Sequence, residues 1–100
     1  MLRHIVMWRL KEQAEGGTAA QNAGELKNRL LALRKSIPQI LEMEVGLEFK
    51  PSESAQDAVL VSAFQDARAL QIYQEHPEHR KVVEFVKKII SDRRVVDYEI

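Results

Sequence analysis

The chain contains no cysteine among its 100 residues. That removes disulfides, thiolate nucleophiles and cysteine-ligated zinc together. It also lacks an excess of either charge, since fifteen Lys and Arg offset fifteen Asp and Glu. Without a net field, the sequence predicts neither a nucleic-acid partner nor an acidic membrane. Its densest basic group, Lys87-Lys88 with Arg93-Arg94, is followed at once by Asp97 and Glu99. The apolar run in the opening MLRHIVMWRL is too short for a signal peptide or a spanning helix, so a cytoplasmic location is expected. Gly-rich phosphate loops, Ser-containing nucleophile elbows and HExxH helices are all missing, which excludes the best-marked nucleotide-binding and hydrolytic classes. No repeat, linker or low-complexity segment divides the chain, and one domain over residues 1–100 is expected.

Hydropathy patterning supplies the elements. Residues 2–10 read as a strand apolar on both faces, with Leu2, His4, Val6 and Trp8 on one and Ile5 and Met7 on the other. Gly16-Gly17 breaks the chain, and Thr18 is placed to cap a helix running to about Ser36. Its apolar stripe is Ala23, Leu26, Leu30, Leu33 and Ile37, and Pro38 ends it. From Glu42 to Lys50, Met43, Val45, Leu47 and Phe49 alternate with polar residues as a strand with one dry face. A turn over 51–56 leads to a strand at Asp57–Phe64. Asp66 then caps a short helix from Ala67 to about Gln74. Pro77 suits the first position of another helix, whose stripe is Val82, Val83, Val86, Ile89 and Ile90. Arg94–Ile100 reads as the last strand, with Val96, Tyr98 and Ile100 on one face.

The order is β-α-β-β-α-β with the second helical leg split in two. That predicts an α+β, ferredoxin-like subunit, a four-stranded antiparallel sheet with helices on one face. Helices can cover only one side, yet the first and third strands are apolar on both. A second copy laid sheet to sheet would cover the bare face, so a homodimer is expected.

Five blocks carry a family likeness: RHIVMWRLK, IPQILEMEVG, DAVLVSAF, YQEHPEH and VVDYE, in that order and over nearly the whole chain. The sequence resembles the stress-responsive dimeric α/β-barrel (Dabb) domain family, which includes olivetolic acid cyclase. The resemblance implies a ferredoxin-like subunit that pairs sheet to sheet into a barrel. It further implies that Tyr73 and His79, flanking the His-Pro-x-His block, correspond to the cyclase's working tyrosine and histidine. His4 matches a histidine at the start of that enzyme's first strand.

Each residue also has a plainer reading. His76, ahead of Pro77, is more simply a helix cap than a metal ligand, and no metal or cofactor is predicted. His79 lies three, four and seven residues before Val82, Val83 and Val86, so it shares the helix's apolar face. There it is either a buried structural imidazole or a general base next to a carbonyl. Tyr73 shares the inward face of the short helix with Leu70, and its hydroxyl needs a partner. In an aldol step that hydroxyl would meet the developing oxyanion. His4, Val6 and Trp8 are read as lining the same space. Glu42, Glu44 and Glu48 mark a solvated strand face.

Two functions follow. The first is a dimeric stress-response-type domain that binds a small, mainly apolar ligand between helices and sheet. The second is a cofactor-independent cyclase or lyase acting on a carbonyl compound, with His79 as base and Tyr73 as oxyanion partner. A cavity bordered by His79, Tyr73 and His4 together would favour the second.

Overall fold

The computed structural model describes residues 1–100. Strand β1 (Leu2–Leu10) alternates strictly, with Leu2, His4, Val6, Trp8 and Leu10 buried and Met7 exposed. A two-residue hairpin follows, formed by β2 (Gln13–Ala14) and β3 (Gly17–Thr18). Both turn residues, Glu15 (φ 49°) and Gly16 (φ 75°), adopt the positive φ that a tight hairpin of this hand requires. In the sequence the Gly-Gly pair marks only a break, because Glu15 disguises the turn.

Helix α1 (Ala19–Ser36) opens on a reciprocal cap. Thr18 accepts from the Gln21 N–H, and the Gln21 side chain accepts from the Thr18 N–H. Its buried stripe is the expected one, Ala23, Leu26, Leu30 and Leu33, with Ile37 buried just beyond. Asn22 is buried as well, and its amide donates to the Ala14 carbonyl at 2.9 Å, tying the hairpin to the helix.

Strands β4 (Glu42–Leu47) and β5 (Ala58–Phe64) complete the middle of the chain. β4 stops at Leu47, three residues short of the patterned run, and the Phe49 side chain is 92 % exposed. Alternation continues past the point where β5 offers a pairing partner, so the pattern outlasts the ladder. Helix α2 (Ala67–Glu75) is capped by Asp66, and α3 (Pro77–Ile89) by His76. Strand β6 (Ile90–Glu99) begins with no intervening loop, four residues earlier than the sequence suggests. The polar Ser91-Asp92-Arg93 looks like a connection, but Asp92 and Arg93 pair with β1 and Ser91 falls at a register shift between Arg9 and Leu10.

The sheet order is β4-β5-β1-β6, all antiparallel, with β1 central and the helices on one face. This is the ferredoxin-like α+β arrangement. Nineteen buried apolar side chains between helices and sheet form one continuous core. On the other face the register aligns Ile5, Met7, Val59, Val61, Val96 and Tyr98, none of them covered by a helix. Glu42 and Glu44 occupy this same face at the β4 edge, and Arg3 reaches across Ala63 to Glu42 at 3.3 Å. No helix is long and apolar enough to cross a membrane.

Candidate functional site

Tyr73 and His79 are brought together by a one-residue joint. His76 ends α2, its N–H donating to the Tyr73 carbonyl, and also begins α3. Its ring Nδ1 accepts from the Glu78 N–H at 3.1 Å, which satisfies one of the free donors at the helix start. Pro77 fits the first helical turn because its missing N–H would have had no partner there. Tyr73 therefore leaves the last turn of α2 and His79 the first turn of α3, and their ring centroids are 4.3 Å apart. Phe64 packs on the same tyrosine at 5.0 Å, and His4 approaches it edge-on at 6.2 Å.

Tyr73, His79 and His4 border a cavity of about 280 Å³. β1 supplies His4, Val6 and Trp8, and α3 supplies His79, Val82 and Val86. All five residues the sequence singled out thus meet at one space. The exposed Lys87 and Arg93 stand at its rim. No three His, Asp or Glu side chains converge anywhere as a metal-holding group, and His76 is occupied by its capping bond.

The polar groups of the cavity differ in how they are satisfied. His79 donates from Nδ1 to the Gln74 carbonyl at 3.1 Å, which leaves Nε2 with its lone pair. Burial lowers the pKa of His79. The Gln74 bond opposes that shift, and the charges of His4, Arg93 and His76 add to it. The ring is therefore held neutral at pH 7. Burial pushes the Tyr73 phenol well above its usual value, against a smaller opposite pull from Arg93. Its hydroxyl is buried without a protein hydrogen-bond partner, as is the Trp8 Nε1–H. His4, nearly inaccessible, donates from Nδ1 to Asp97 Oδ1 at 2.5 Å. That bond fixes the ring and leaves Nε2 free.

Two β6 residues at this site escaped the sequence reading, Asp97 behind His4 and Arg93 at the rim. Both depend on antiparallel register, which sets Asp97 opposite His4 and Arg93 opposite Trp8. The available signal was parity: Asp97 lies between Val96 and Tyr98, so it must face the helices if they face outward.

A family model for the stress responsive A/B barrel domain matches residues 2–100. The chain belongs to that family. No curated protein sequence matches it. Among solved structures, it is similar to a dimeric protein of unknown function with a ferredoxin-like fold from Bacteroides fragilis NCTC 9343. The two are 28% identical, with 99% of this chain and 95% of that one covered and a TM-score of 0.88. A dimeric ferredoxin-like protein of unknown function from Jannaschia sp. CCS1 is 26% identical over 99% and 98% of the chains, with a TM-score of 0.76. Hydroxynitrile lyase from Passiflora edulis is 19% identical over 99% and 92%, with a TM-score of 0.81, a likeness of fold alone. These structural neighbours thus include proteins with and without a named activity.

Proposed function

We propose that this A/B barrel domain works as a homodimer and binds a small, mainly apolar ligand carrying a carbonyl oxygen, in the cavity between α3 and β1. The observation that carries the ligand is that Tyr73 and Trp8, both bordering one apolar space, each keep a buried donor without a protein partner. A buried unpaired donor costs free energy that an acceptor on a ligand would recover. The volume lies at the small end of ligand pockets, which run from roughly 300 to 1,000 Å³. Dimerisation is supported by the uncovered apolar sheet face and by the dimeric relatives. An interface of standard size, roughly 800 Å² per partner, would hold at micromolar concentration. Light scattering on a sizing column should give twice the chain mass.

The chain has one tryptophan and it lines the cavity, so binding has a built-in reporter. Titration with 2-heptanone should change Trp8 fluorescence saturably. Val83→Trp, which fills the cavity from α3, should abolish saturation of the heat measured by calorimetry. If the native protein gives no saturable signal by either method, the ligand reading fails.

A second reading is favoured by the state of His79. Its Nδ1 is committed to Gln74, its Nε2 is free, and burial keeps it neutral, which is what a general base beside a carbonyl needs. The Nε2 lone pair would take a proton from the carbon next to the carbonyl. The C–H electron pair would move toward the carbonyl oxygen, where the Tyr73 hydroxyl donates. In D2O this step appears as deuterium uptake at the α-carbons of 2-heptanone, followed by proton NMR. The native protein should exceed the buffer rate and His79→Gln should not. Equal rates would leave ligand binding without chemistry.

A further inference from the structure

Resting on the reading that the cavity holds a ligand, the distribution of charge around it says more about what that ligand is. The lining includes two cations, Lys87 and Arg93, and no carboxylate. Three acids on the flanking elements are already engaged. Asp97 accepts from His4, and Glu84 lies 3.6 Å from Lys87 on the surface of α3. Asp92 is turned to Arg94 at 3.0 Å. Arg93 itself makes neither an ion pair nor a side-chain hydrogen bond with the protein. It projects from β6 on the helix side, directly opposite Trp8, and directly opposed side chains on paired strands are near neighbours. Trp8, whose indole N–H has no protein partner, and the unpaired Arg93 are therefore neighbours beside the cavity. Both groups are donors only.

We infer that the occupant is an anion: a small monocarboxylate whose carboxylate meets Arg93 and the Trp8 N–H while its apolar body lies along Val6, Leu60 and Val82. A guanidinium offers two parallel donors that match a carboxylate's two oxygens. The histidines do not compete for the role, because each already commits Nδ1 to a protein acceptor and, when neutral, keeps only an acceptor at Nε2. Arg93 is also close enough that its charge is felt at both Tyr73 and His79.

Octanoate and 1-octanol separate charge from apolar length. Each would be titrated into the native protein at pH 7.5, below the concentration at which octanoate forms micelles, with calorimetry and Trp8 fluorescence as readouts. Octanoate should bind at least about tenfold more tightly, the worth of a hydrogen bond to a charged group. Arg93→Gln should reduce that preference to about twofold or less while leaving octanol affinity unchanged, and Arg93→Lys should restore part of it. Arg93 is exposed, so neither variant removes core packing. Equal affinity of the two probes, or an octanoate preference that survives Arg93→Gln, overturns the anion inference and leaves the ligand reading standing. Failure of both probes to bind overturns the two together.

Discussion

Replacing Tyr73 by phenylalanine separates the cost of the hydroxyl from the packing of the ring. The ring is completely buried between Phe64 and His79, and phenylalanine keeps those contacts. The hydroxyl leaves water on folding without gaining a protein hydrogen bond. That transfer costs about 1–3 kcal/mol. Against it stands only the loss of one oxygen's dispersion contacts, each worth about 0.1–0.2 kcal/mol. Tyr73→Phe should therefore stabilise the protein, by about 1 kcal/mol. In a domain of this size that raises Tm by about 4–8 °C. Urea unfolding followed by far-UV circular dichroism should show a higher midpoint at unchanged slope. Protein concentration must be matched between variants, because a dimer's stability depends on it. The same variant should bind 2-heptanone more weakly, the trade of function against stability expected of a strained site. A loss of 1 kcal/mol or more on removing the hydroxyl would show that it has a partner in the native state, and the reasoning would be refuted.

Other perturbations test other parts of the structure. The pKa of His79 is lower folded than unfolded, so below about pH 6.5 the unfolded chain binds the extra proton first. Stability should fall as pH drops from there toward the folded pKa, and His79→Gln should flatten this segment of a pH series of urea midpoints. Met7→Asp places a carboxylate on the apolar sheet face, where burial without a partner costs several kcal/mol and acts twice in a symmetric pair. It should give monomers at micromolar concentration, whereas Asn28→Asp on the exposed side of α1 should not; light scattering decides. His76→Ala removes the cap of α3 and should cost about 1 kcal/mol in urea unfolding, with a neutral result showing that the ring's bond to Glu78 contributes nothing. Leu26→Ala, at a fully buried position facing the sheet, should cost about 2–5 kcal/mol in the same assay.

The parts of the fold that could be read from sequence are those written in local periodicity. The stripe of α1, the cap residues Thr18 and Asp66 and the inward placement of His79 each follow from residues within one or two turns. The joint at His76 is of the same kind, since proline announces it. What escaped depends on pairing between distant segments. Asp97 and Arg93 join the site only because β6 lies antiparallel to β1 in one register. The early start of β6 is hidden because helix and strand abut without glycine or proline. Glu44 lies on an exposed strand face as its alternation indicates, but only the pairing register shows which face that is. That face proves to be the one shared with Met7. Phe49 carried a strand's pattern into a segment with no partner to pair with.

The joint at His76 has a consequence for how the site can vary. Tyr73 and His79 come from one stretch of seven residues, and the separation of their rings is governed by the backbone of a single extended residue, φ −63° and ψ 135°. The sheet does not set it. Substitutions that reshape the cavity floor on β1 and β5 would change what fits there without moving this pair relative to each other. Conversely, one residue inserted between Glu75 and Pro77 would lengthen the extended joint, reorient α3 relative to α2 and dismantle the pair while leaving the floor intact. Shape and chemistry are therefore carried by separable pieces of chain, so the same tyrosine and histidine could be offered to many differently shaped molecules.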